Sequence, residues 1–178
     1  MRVDPKPDPF AKNPTALVRN PGKAESKTVV VDSTRPAPRM RAHVHHLTAT
    51  QSINNNVATD VIWNAIDFDT VGLLIANQFV LPAIGIGKVT SSWWIHVHVT
   101  WEAAVAGGRE LDILANGTVI SSTHILGSND QMSQDATILV NDPLPATAYK
   151  VQVKQTSGGP LNLITEPEHS YFEIIHLW

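Results

Sequence analysis

The sequence predicts an all-β fold, an antiparallel jelly-roll sandwich, behind an extended proline-rich N-terminal arm. Three observations predict it. From about His43 onward, runs of β-branched and aromatic residues alternate with polar ones at period 2, and turn residues punctuate them. Residues 1–42 hold seven of the twelve prolines, and neither a helix nor a central strand runs through such a stretch. No helical period of useful length occurs anywhere. The chain therefore divides into an arm, 1–42, and a head, 43–178.

In the arm, Pro5, Pro7, Pro9, Pro14, Pro21, Pro36 and Pro38 leave only Thr28-Val29-Val30-Val31 with the composition of a strand. Such a segment cannot bury enough apolar surface alone to offset its ordering entropy. Its order is expected to come from a partner or from neighbouring copies of the chain, with wrapping of its own head as the alternative. Charge is uneven as well: residues 1–42 carry nine of the thirteen Lys and Arg and four of the sixteen acids, a net of +5, which leaves the head at -8. The basic residues are widely spaced and accompanied by a single aromatic, Phe10. That is too sparse for a nucleic-acid arm. Docking on an acidic protein surface fits better, with Val29, Val30 and Val31 adding a strand and Phe10, Arg19 and Arg35 as further contacts.

In the head, Val57 to Phe68 reads as one strand bent at Asn64, and Leu73-Leu74-Ile75-Ala76 as a short strand or a turn of helix. Trp93 to Trp101 alternates well: Ile95, Val97, Val99 and Trp101 face one way, Trp94, His96, His98 and Thr100 the other. Asn116-Gly117, between Leu111–Leu114 and Val119–Ser122, is a strong hairpin signal, because a type I′ turn needs positive φ at both central residues. Ala136–Val140, Tyr149–Gln155, Leu161–Ile164 and Tyr171–Leu177 supply further strands, with Asn141-Asp142-Pro143, Ser157-Gly158-Gly159-Pro160 and Glu166-Pro167 as turns. About eight short strands with regular turns read as a sandwich or jelly roll.

Composition narrows the function classes. A hydrophobic fraction of 43% in 178 residues supports one real core. With no cysteine, disulfides and thiolate metal sites are excluded. The N-terminus Met1-Arg2-Val3-Asp4-Pro5 lacks the apolar run of a signal peptide, and no stretch approaches the ~20 apolar residues of a membrane span. The expectation is a soluble protein made in the cytosol, with no membrane or nucleic-acid partner.

The order of short motifs is more specific. Phe79, Pro82 and Gly85 precede the strand closing on Trp101. Gly108-Arg109-Glu110-Leu111, Asn116-Gly117-Thr118 and Ile138-Leu139-Val140 follow. Then come Val151, Val153, Gln155, Ser157 and Gly158, and the chain closes on Ser170-x-Phe172. This order resembles the globular head of the complement and tumour-necrosis-factor jelly-roll superfamily, and is most similar to phage members that cap fibres or decorate virions. Two departures stand out: the longer stretch between Pro82 and Trp101, and Asn141-Asp142-Pro143 where the family has a Gly-Asp turn. The resemblance implies a compact homotrimer, with outward aromatic and aliphatic residues as interface. Trp94, His96 and His98 are the candidates.

Candidate chemistry is sparse. His96 and His98 share one face of a strand, ~7 Å apart, a spacing known from strand metal sites. With no carboxylate in the motif to complete a ligand set, packing or hydrogen bonding at a subunit interface is the expected role, and no cofactor or resident metal is expected. His43, His45 and His46 sit at the expected hinge between arm and head. Asp67 and Asp69 could together hold a cation, though strand-end solvation is the commoner use. Gly85-x-Gly87-Lys88 lacks the following helix of a phosphate loop. No nucleophile or metalloprotease motif is present, so no enzyme is expected. Of the tryptophans, Trp63, Trp93, Trp94, Trp101 and Trp178, one of the adjacent pair Trp93 and Trp94 must face outward, toward a partner or a glycan.

The expectation is a trimeric capsid decoration protein on the outer surface of a virion, assembled in the host cytoplasm. Its arm binds the major capsid protein or another virion lattice protein. A tail-fibre tip recognising host-surface glycan is the alternative.

Overall fold

Asn116 and Gly117 both adopt positive φ, 49° and 82°, and so turn the chain back on itself between its two longest strands. The computed structural model describes residues 40–45, 50–82, 91–164 and 169–177. They form thirteen strands: β1 (Arg41–His45), β2 (Gln51–Ile53), β3 (Thr59–Asp60), β4 (Ala65–Asp69), β5 (Leu74–Ile75), β6 (Gln78–Val80), β7 (Ser92–Trp101), β8 (Ala104–Ala115), β9 (Thr118–Ser128), β10 (Met132–Asn141), β11 (Ala148–Gln155), β12 (Leu161–Leu163) and β13 (Ser170–His176). The first sheet runs β2-β12-β7-β13-β1-β4, with β10 also on β7. The second runs β5-β6-β11-β8-β9, with β3 also on β11. The strand pairings are antiparallel, and the architecture is the expected jelly-roll sandwich.

The core lies between the sheets and follows the period-2 pattern. Ile95, Val97, Val99 and Trp101 of β7 are fully buried, as are Phe172 and Ile174 of β13. Leu111 and Ile113 of β8, Phe79 of β6, and Val151 and Val153 of β11 meet them from the second sheet. The Phe79 and Phe172 rings lie 4.4 Å apart. Each such side chain contributes roughly 1.5–3 kcal/mol on burial.

The sheets are also bridged by polar side chains. Arg109 is 1% exposed, beneath a bulge where β8 slips out of register between Ala104 and Gly108. Its guanidinium donates to the carbonyls of Ala104 (2.9 Å), Ala106 (3.1 Å) and Gly108 (3.1 Å). Burial lowers its pKa. The indole Nε1 of Trp101, whose ring centroid lies 5.9 Å from the guanidinium carbon, donates to Gln134 Oε1 at 3.0 Å. Gln134 Nε2 donates in turn to the Thr123 carbonyl at 2.8 Å. This network spans β7 and β10 of one sheet and β8 and β9 of the other.

Several boundaries differ from the sequence expectation. The single bent strand over Val57–Phe68 is instead two short ones, β3 and β4. Between them the Asn77 side chain takes the place of a ladder, accepting from Trp63 N (2.7 Å) and donating to the Val61 carbonyl (2.6 Å). Leu73–Ala76 yields the two-residue strand β5, because Ala76 and Asn77 both turn at positive φ. Arg41 and Ala42, placed in the arm, belong to β1, where Ala42 is fully buried. His43 is therefore a sheet residue and not part of a hinge. The arm positions Phe10, Arg19, Val29, Val30, Val31 and Arg35 lie outside the described residues, as do His46, Gly85, Gly87, Lys88 and Trp178.

Two glycines separate strain from collision. Gly117 and Gly107 both have positive φ, but a Cβ on Gly117 meets nothing, whereas one on Gly107 runs into the Thr156 carbonyl. Gly117→Ala should cost about 1 kcal/mol and Gly107→Ala more than about 2 kcal/mol. The shift in urea midpoint at constant slope checks the order.

Candidate functional site

The outward side chains of β7 stand in register with those of its neighbours. Across the first sheet they form three rows: Arg41, Ile175, Trp94 and Leu139; His43, Glu173, His96 and Thr137; Tyr171, His98 and Asp135. Tyr171 is the hub. Its ring lies 5.1 Å from His43, 5.3 Å edge-on to His96, and 5.3 Å from His98 in a stack. Trp94 continues the stripe at 5.2 Å from His96. At the other end Phe68 of β4 stacks on His43 at 5.7 Å and carries the Arg41 guanidinium 4.7 Å from its centroid.

Carboxylates fix the imidazoles. One oxygen of Asp135, Oδ1, lies 2.8 Å from His98 Nδ1 and 3.1 Å from His96 Nε2. His43 Nδ1 is 2.7 Å from Asp67 Oδ2. Burial opposes ionisation of Asp135, but the hydrogen bonds and charges of His98 and His96 outweigh it and hold the carboxyl below its usual value. Stability from this carboxylate is present above the ordinary aspartate range and fades as pH falls through the lowered value. The Tyr171 phenol is pushed up, by burial first and then by the charges of Asp135 and Glu173.

The expected site residues Trp94, His96 and His98 thus fall together on one face. Asp135 and Tyr171 are members that sequence reasoning missed; the motif itself holds no carboxylate, and the one that meets the histidine pair comes from β10. The signal was available: extending the alternation of Ala136–Val140 backward by one residue places Asp135 outward, opposite His98. The histidine nitrogens are directed at this carboxylate, and no group of three or more metal-ligating side chains among the described residues is arranged to hold an ion. Asp67 and Asp69 have separate partners: Asp67 meets His43. Asp69 instead accepts the backbone amides of Leu73 and Leu74, both at 2.8 Å, and so holds the turn into β5.

The outer face of the second sheet is different in kind. Asp60 takes Lys150 at 2.9 Å and Gln152 at 2.8 Å. Gly108, Glu110, His124, Lys154 and Thr156 line a cleft of about 50 Å³, small beside the ~300 Å³ or more of a usual ligand pocket. Trp63, Trp93 and Trp101 are buried, so Trp94 is the outward member of the adjacent pair.

Because Asp135 raises the Tyr171 pKa, Asp135→Asn should lower it toward the ordinary tyrosine value. Tyrosinate absorbance on alkaline titration reads this directly. The only other tyrosine, Tyr149, is raised by burial alone and serves as the internal reference.

No family model matches the chain, and no curated protein matches it. Among solved structures it is similar to murine APRIL at pH 5.0, with a TM-score of 0.57 and 11% identity over 79% of this chain and 100% of that one. It is also similar to the Eiger TNF of S. frugiperda, with a TM-score of 0.53 and 13% identity over 79% of this chain and 94% of that one. At such identities the likeness is one of architecture: the head has a tumour-necrosis-factor-like jelly-roll fold.

Proposed function

We propose that this chain is a non-enzymatic structural protein whose head assembles as a homotrimer through the outer face of the first sheet. The observation that carries this reading is the contrast between the two outer faces. The second sheet presents Lys150, Lys154, Glu110, Gln152 and Asp60, and its exposed apolar residues Leu126, Val105 and Val119 are aliphatic, with no aromatic among them. The first presents Trp94, Tyr171, Phe68 and Arg41 among imidazoles. Aromatics and arginine are enriched at interfaces, and lysine is depleted. The described lysines, Lys150 and Lys154, both lie on the second sheet.

The basic, proline-rich arm extends the reading to attachment. In sequence it leads directly into β1. Three arms per trimer on an acidic protein lattice gain avidity through effective concentration, so weak individual contacts hold firmly. This suits a decoration protein on a viral shell, the assembly for which the arm's net positive charge and the β-branched composition of Val29–Val31 are the supporting features.

Two measurements test the two halves. Light scattering should return three times the 19.4 kDa chain mass, and Trp94→Glu should reduce it to one chain with the β-sheet circular dichroism unchanged. A wild-type protein that stays monomeric at high concentration rules out the trimer. Co-sedimentation with undecorated capsids should pellet the full chain but not a truncation beginning at Met40. Equal behaviour of the two would remove the anchoring role.

A further inference from the structure

A permanent apolar interface needs no imidazoles, yet β1 and β7 present His43, His96 and His98 on one face, and each touches a carboxylate. Toward His96 and His98, β13 turns Tyr171 and Glu173, and β10 turns Asp135. Toward His43, β13 turns the same Glu173 and Tyr171, and β4 supplies Asp67 and Phe68. Among the described residues Arg41 is the one guanidinium on this face, held over Phe68, and His45 is in register with Tyr171. Setting His45 aside, three carboxylates against one guanidinium leave this face at -2 with neutral imidazoles and at +1 with all three protonated. The imidazole side chains are 17–20% exposed, and Asp135 and Asp67 are 55% and 47% exposed. A second copy would therefore strip water from an anionic cluster.

Resting on the trimer reading, we infer that assembly through this face takes up protons, so that the trimer is held more tightly near pH 6 than near pH 8. Imidazole is the side chain whose charge changes across that range. Copies that meet with neutral imidazoles bring like charges together and desolvate them, which opposes association. Two protons per copy bring the face to neutrality and give the Asp135 oxygen a charged donor, the stronger kind of hydrogen bond. The assembled state then binds more protons than the separate chains. Its association strengthens as pH falls and weakens as pH rises, by about tenfold per pH unit for each proton taken up. Asp135, held below the usual aspartate value, keeps its charge throughout the window.

Subunit exchange in the full-length protein tests this. The chain has no cysteine of its own, so Ser122→Cys on the opposite sheet can carry donor and acceptor dyes in two batches. Energy transfer after mixing gives the exchange rate at constant ionic strength. Wild-type exchange should slow at least tenfold from pH 8 to pH 6. The double variant His96→Gln, His98→Gln should lose most of that dependence. So should Asp135→Asn, which keeps the side-chain shape and serves if the double variant folds poorly. A trimer whose exchange ignores pH, or quickens at pH 6, overturns the proton linkage and leaves the trimer standing. Variants that keep the wild-type slope would overturn the linkage equally. Single chains at every pH would overturn both.

Discussion

A β-strand offers its side chains only two directions, and in this head one strand uses both. β7 pairs with β10 on one side and with β13 and β12 on the other. Its inward residues Ile95, Val97, Val99 and Trp101 are the centre of the core. Its outward residues Trp94, His96 and His98 are the centre of the surface stripe. Core and surface are therefore set by a single register. A slip of one residue would bury imidazoles and expose Val97 and Val99. The fully buried residues of β13, Phe172 and Ile174, and of β1, Ala42 and Val44, lock the same register from the neighbouring strands.

The buried guanidinium of Arg109 secures the other end of the sandwich in a different way. Three carbonyl dipoles carry the charge in place of a carboxylate. Those carbonyls lie on or beside the bulge of β8, and the Gly108 carbonyl also accepts from Thr156 N at 3.0 Å. Trp101 and Gln134 extend the connection to β9 through Thr123. Polar groups inside a core are tolerable when each finds a partner, and here they fix the spacing of the two sheets where apolar packing alone is permissive.

The fold was legible because long strands with alternating faces and an Asn-Gly turn leave little freedom. The alternation of Trp93–Trp101 and the hairpin at Asn116-Gly117 both agree with the structure. What escaped depended on residues distant in sequence. Trp63 turns inward because Asn77, fourteen residues on, holds its amide. Asp135 meets His98 across thirty-seven residues, so no local motif announces the cluster. The sequence does not announce β1, because the prolines just upstream mask a strand whose partners lie in β13 and β4. Of the candidate surface, Trp94, His96 and His98 were legible from period 2 alone. Tyr171 as hub and Asp135 as anchor required the sheet order.

The polar pairs on the second sheet are each self-contained. Asp60 is satisfied by Lys150 and Gln152 of adjacent strands, while the His124 ring lies over Gly108, where a larger residue would displace it. None of these contacts reaches the stripe on the first sheet. Evolution can thus rewrite one side of the sandwich while the other is held constant. Changes at Glu110, His124 and Lys154 would leave the contacts of the stripe untouched, so the two exteriors of the sandwich are physically separable.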